Sequence, residues 1–170
     1  DAAPVTAPVT RPITGPDTTA QADPAALQRA LDAAPREQVL RVTDLPGPTG
    51  ESNRLRLVSR APLLCMGPGA EAARAQADAV EALGGHAVIA EGTVTPDTLR
   101  GLTGLSAVLF WGSETDARPL AQALAQRDGP ILPLITGRPD AGHVAHERHL
   151  CVDTTAAGGN ADLLAGMERD

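Results

Sequence analysis

Lysine is absent from this sequence, and all 14 basic residues are arginine. That excludes Schiff-base catalysis and the phosphate-gripping lysine of P-loop proteins. Tyrosine is missing too, and one Phe and one Trp make up the whole aromatic content. Stacking platforms for single-stranded nucleic acid cannot be built from so little. The 21 acidic residues leave a net charge of -7, which argues against nucleic acid and anionic membrane as partners of this piece. Two cysteines, Cys65 and Cys151, are too few for a disulfide framework and form no C-x-x-C pair. Both read as reduced, buried thiols of a cytoplasmic protein. No apolar run approaches the ~18 residues of a membrane span, and the first residues lack the basic start and apolar core of a secretory signal. Such a start fits a chain that begins within a larger polypeptide. With 170 residues, one domain with one core is expected, burying about two thirds of its unfolded surface.

What the chain does contain falls into five stretches. Residues 1–22 are mostly Ala, Pro, Thr and Val, with Pro4, Pro8, Pro12 and Pro16 evenly spaced, a composition that favours an extended linker. Residues 23–35 read as a short helix: Asp23 is a cap, Pro24 sits at the first helical position, and Leu27 and Leu31 share a face. Residues 36–60 read as a β-hairpin flap, its strand-like runs Val39 to Thr43 and Leu55 to Val58 joined by Pro46-Gly-Pro-Thr-Gly50. Alternation from Arg54 to Leu57 gives the flap one apolar and one charged face, stable only when laid on something else. Residues 61–140 alternate strand and helix. Apolar runs at Leu63 to Met66, His86 to Ala90, Ala107 to Trp111 and Ile131 to Ile135 are separated by helical patterns at 71–83, 95–102 and 114–126. Continuous apolar strands between amphipathic helices predict an α/β fold, a Rossmann-like, doubly wound and mostly parallel sheet covered on both faces. Residues 141–170 form a tail.

Three places invite chemistry. Gly67-Pro-Gly-Ala-Glu-Ala72 is a G-x-G-x-x-A turn after a strand and before a helix, and Glu91 ends the next strand. In a dinucleotide fold Gly67, Gly69 and Ala72 would admit a pyrophosphate and Glu91 would take ribose hydroxyls. Pro68 lacks a backbone donor, however, and Glu71 puts negative charge where the phosphate would sit. A plain strand-to-helix turn with no cofactor is the favoured reading, and an autonomous module for NAD or another nucleotide is the alternative. His143, His146, His149 and Cys151 lie close in sequence, but no single helix or strand geometry gathers them into a tetrahedral metal set. Cys151 in an alternating strand reads as a small apolar side chain rather than a nucleophile. No catalytic residue is assigned.

The tail itself runs Glu147-Arg-His-Leu-Cys-Val-Asp-Thr-Thr-Ala-Ala-Gly-Gly-Asn-Ala-Asp-Leu-Leu164. Leu150 and Val152 share one face of a strand, and Thr154, Thr155, Gly158, Gly159 and Asn160 follow. Small side chains and a glycine pair let backbone approach another surface closely, so these seven residues are candidates for docking. The tail resembles the C-terminal motif of the bifunctional flavoenzymes called proline utilization A, with Asp153 where that family often has Asn. Leu45-Pro-Gly-Pro-Thr-Gly-Glu51, Phe110-Trp-Gly-Ser and Arg127-Asp-Gly-Pro-Ile-Leu-Pro-Leu134 resemble the longer members of the same family, in matching order across roughly residues 36–164.

The resemblance implies a non-catalytic C-terminal domain, similar to the nucleotide-binding half of an aldehyde dehydrogenase. It would act as a lid on the aldehyde dehydrogenase domain of the same polypeptide or a second protomer, helping to wall the passage for the reaction intermediate. The parent would be a homo-oligomer that oxidises proline to glutamate with FAD and then NAD, neither held by this chain.

Overall fold

Four short parallel strands carry the core of this computed structural model, which describes residues 20–48 and 50–153. They are β3 (Leu63–Cys65), β4 (Ala87–Ile89), β5 (Ala107–Leu109) and β6 (Leu134–Ile135), in the order β4-β3-β5-β6. Both neighbours of β3 run parallel to it, so the chain reverses direction of growth across β3 and the fold is α/β. Because side chains alternate across a strand, the sheet buries apolar residues on both faces. Leu64, Met66, Val88, Val108 and Phe110 pack on one side, and Leu63, Ala107, Leu109 and Ile135 on the other.

The helices divide accordingly. Helix α1 (Pro24–Ala33), α3 (Pro96–Gly101) and α4 (Glu114–Ala125) place Leu27, Leu31, Leu99, Leu120 and Leu124 on the Leu64 side. Helix α2 (Gly69–Glu81) and the short α5 (Ala141–Val144) place Val80 and Val144 on the Leu63 side. Local signals fix the helix starts. Asp23 Oδ1 accepts from Ala25 N at 3.0 Å, and Ser113 Oγ accepts from Asp116 N at 3.2 Å. Thr95 caps α3 in the same way, through Thr98 N. Each cap satisfies a first-turn N–H that has no partner inside the helix.

A second sheet stands beside the first. Strands β1 (Val39–Leu45) and β2 (Glu51–Ser59) form the expected hairpin, and β7 (Ala145–Asp153) pairs antiparallel along all of β2, from Glu51 opposite Asp153 to Ser59 opposite Ala145. The order is β1-β2-β7. The flap is therefore three-stranded, which gives a hairpin the third strand it needs.

Three expectations are corrected. Ile131 does not begin a buried run: it is 95% exposed, and the ladder starts only at Leu134, because Pro133 has no N–H to give and offers β5 just its carbonyl. Cys151 is exposed, not buried, since β7 is an edge strand with no buried residue from Glu147 to Asp153. The stretch read as unattached linker is fixed at its end. Ala22 is buried, Ala22 N donates to Thr93 O at 3.0 Å, and Thr93 N donates to Ala20 O at 2.9 Å.

Candidate functional site

The carboxyl ends of β3, β4 and β5 open into a cavity of about 470 Å³, the place where ligands bind in open α/β sheets. Met66, Ala90, Val94 and Phe110 form its floor, and the first turns of α2, α3 and α4 reach it through Gly69, Pro96 and Asp116. Helix N-termini usually offer free N–H groups and a positive dipole end to an anion. Here each of the three is met by acidic side chains in its own first turn: Glu71 on α2, Asp97 on α3, and Glu114 with Asp116 on α4. The mouth is electrostatically unsuited to phosphate. Pro119, inside α4, gives Thr115 no N–H partner, and both line the cavity.

The glycine turn is built for its own helix. Gly67 and Gly69 have φ of +94° and +79°, and a Cβ on Gly67 would strike the Gly69 backbone, so glycine is required there. Gly67 N donates to Gln76 Oε1 at 3.0 Å, while Gln76 Nε2 and Trp111 N donate to Gly67 O at 2.7 and 2.8 Å. Gln76 is fully buried. The first glycine of the motif thus spends its N–H inside the protein, and Pro68 has none. Ala72 is half-buried on α2, and Glu91 is exposed just past β4 and outside the cavity lining. The motif residues come to one end of the sheet, but Glu91 does not join the cavity. Gln76 and Asp116 were not singled out from sequence. A glutamine in an alanine-rich helix looks like a surface residue until its glycine partner is placed against it.

The second candidate surface is the three-stranded sheet. Leu150 and Val152 lie on one face of β7, 50% and 39% exposed, with Leu150 opposite Arg54 and Val152 opposite Ser52. Val42, paired with Arg56, shares that face and is exposed. His149 and Cys151 take the other face, with His143 back on α5 and His146 at the start of β7. Among the described residues no three His, Cys, Asp or Glu side chains are grouped to hold a metal. Thr154, Thr155, Gly158, Gly159 and Asn160 lie outside the described residues. Burial, and to a lesser degree the Glu81 charge, pushes the Cys65 thiol up to about 12, so it is a neutral core side chain. No helix among the described residues is long and apolar enough to cross a membrane.

No family model matches the chain. The bifunctional protein PutA of Escherichia coli (strain K12) is 30% identical over 143 residues, an alignment that takes in 71% of this chain and 11% of that protein. The bifunctional protein PutA of Salmonella typhimurium (strain LT2) matches to the same extent, 30% over 143 residues. The chain therefore spans about a tenth of the length of these curated relatives. Among solved structures, a mutant of Bradyrhizobium japonicum proline utilization A is 25% identical, with a TM-score of 0.43, covering 65% of this chain and 14% of that one. Another crystal structure of bifunctional proline utilization A gives 23% identity and a TM-score of 0.42, again over 65% of this chain.

Proposed function

At the level of this domain the chain is assigned to the bifunctional PutA proteins, and from that premise we propose that it is a non-catalytic C-terminal domain of a proline-catabolic enzyme. Its role is to pack on the aldehyde dehydrogenase domain of the same polypeptide or of a second protomer. There it covers that active site and helps enclose the passage for the intermediate between proline and glutamate. FAD and NAD serve the parent's two oxidations, and this chain holds neither.

One observation carries the reading. Two of the segments that resemble the family, the Leu45 to Glu51 turn and the tail from Glu147, are far apart in sequence, yet Glu51 is paired with Asp153. The tail therefore leaves β7 at the turn end of the hairpin. Near this point Leu150 and Val152 are exposed on one face, apolar side chains that gain about 25 cal/mol for each Å² a partner covers. Exposed apolar side chains set among arginines on an open sheet face make a surface suited to docking.

The cavity at the carboxyl ends of β3 to β5 favours a second reading, an autonomous nucleotide-binding module. Its acidic helix starts and the internal bonding of Gly67 weigh against it.

The test is made in the full-length parent. Deleting from Glu147 would remove most of β7 and expose β2, so the informative truncation ends at Asp153. Residues 154–170 are removed while the strand is kept. Expected is a slowed aldehyde dehydrogenase step and slowed NADH formation from proline, with proline dehydrogenase activity intact. NADH formation with the same lag and rate as the intact enzyme would sink the covering role.

A further inference from the structure

Where the chain crosses from the flap into the parallel sheet, two arginines face a groove that neither reading uses. The groove, about 480 Å³, is lined by Arg36, Glu37, Arg60, Ala61, Ser106 and His146. Arg60 is pinned by its backbone and by one end of its guanidinium. Its N donates to Val144 O at 2.8 Å, and its Nε donates to Gly142 O at 2.9 Å and Ala145 O at 3.2 Å. Its two terminal nitrogens have no hydrogen-bond partner among the described residues. Arg36 is held likewise. Nη2 donates to Leu31 O at 2.9 Å and approaches Asp32 at 3.4 Å, and the Gly104 backbone leaves no room for a Cβ against the guanidinium. Nε and Nη1 of Arg36 remain without partners among the described residues.

The remaining lining groups are mostly committed within the protein. His146 Nε2 accepts from Arg148 Nε at 3.0 Å, so the neutral ring carries its proton on Nδ1, which is buried and unpartnered. Ser106 Oγ donates to Ala61 O at 2.6 Å. Glu37, the one acidic residue lining the groove, is already committed to Arg148 at 2.8 Å. It does so from a left-handed backbone, φ +50°, the one non-glycine residue with positive φ among those described, a strained conformation for a side chain of this kind. The protein as a whole has a charge of -7. A groove with two preset guanidinium groups is a local reversal of that field.

We propose that this groove is a binding site for a small oxyanion, a carboxylate or phosphate gripped by Arg36 and Arg60. Arg60, held through its Nε, can meet such oxygens end-on with two parallel hydrogen bonds from its terminal nitrogens, and Arg36 adds single bonds from Nε or Nη1, at little ordering cost. His146 reports on occupancy. Burial first, then the charges of Arg148 and Arg60, hold its imidazole below the usual range against the opposing pull of Glu37. An anion between the arginines offsets their charge and moves His146 back up.

The experiment follows the imidazole proton signal of His146 by NMR in the 170-residue chain, assigned by its loss in His146→Gln. Phosphate and succinate are titrated separately, at constant ionic strength set with chloride. Expected is a saturable rise in the His146 titration midpoint with at least one of the two, and the one that saturates identifies the anion class. Arg60→Gln should abolish the response. Because Arg60 also ties down the Gly142 and Ala145 carbonyls, Glu37→Gln serves as the variant that leaves both arginines in place, and it should bind the same anion several-fold more tightly. A non-saturating shift, or one that chloride reproduces, overturns the site, as does saturation that Glu37→Gln leaves unchanged.

Discussion

Gln76 reaches back nine residues from the middle of α2 to bond both the N–H and the carbonyl of Gly67. The glycine turn is thereby sealed by a side chain from its own helix. Gln76→Leu keeps the volume and removes both bonds. The Gly67 carbonyl still receives Trp111 N, so the loss falls mainly on one buried N–H, a cost of about 1–3 kcal/mol. A lower urea midpoint with an unchanged slope would show it. No change in midpoint would mean that the pair contributes nothing to stability.

If the turn is closed to phosphate, NAD added to the chain at concentrations that saturate dehydrogenases should leave Trp111 fluorescence unchanged. Trp111 is the only tryptophan. It follows β5 and donates Nε1 to Gly137 O at 2.7 Å, so a nucleotide at the strand ends would alter its surroundings. A saturable signal that Gly69→Val removes would instead establish the nucleotide module.

Gly92 has φ of +103°, and a Cβ there would collide with the Ala20 carbonyl. Gly92→Ala is therefore expected to cost about 1–3 kcal/mol and to detach residues 20–22. Hydrogen exchange should quicken at the Ala22 and Thr93 amides, while Leu64 and Val108 in the central strands stay protected. Uniform acceleration would point to a global effect instead.

The two thiols should separate cleanly. Cys151 is exposed and Cys65 buried, so the native chain should give one fast equivalent with a disulfide reagent and a second only after denaturation. The Cys65 shift also predicts an alkaline limit. Its folded value of about 12 lies above the ordinary value of 9.0, so above pH 9 the unfolded chain binds fewer protons than the native one. Stability is then full below about pH 9 and falls as pH rises toward 12. Cys65→Ala should flatten that slope, and an unaltered slope would refute the assignment.

Much of the fold was legible because the apolar runs at Leu63 to Met66, His86 to Ala90 and Ala107 to Trp111 alternate with amphipathic helical patterns, and Asp23 marks a helix start. These are local signals, set by neighbours within one turn or one strand. What was not legible depends on partners distant in the chain. The run from Ile131 looked like a strand, but Pro133 delays the ladder. Cys151 looked buried because alternation shows which residues share a face and not whether that face is covered. The same limit applies to the candidate site: the G-x-G-x-x-A spacing was visible, whereas the bonding that fills it came from Gln76, and the groove at Arg36 and Arg60 is assembled from α1, the β2–β3 corner and β7.

The pairing of β2 with β7 also bears on how the chain reaches this structure. Ser59 meets Ala145 and Glu51 meets Asp153, so the whole parallel sheet and its helices lie between the partners in sequence. Closing so long a loop is slow compared with forming the local βα units. During synthesis the β1–β2 hairpin emerges long before its third strand and must wait with the open edge of β2 unpaired. Such an edge invites pairing with another nascent chain. The charged side chains of Arg54 and Arg56 along β2 act against it, as gatekeepers of a strand whose proper neighbour has yet to be made.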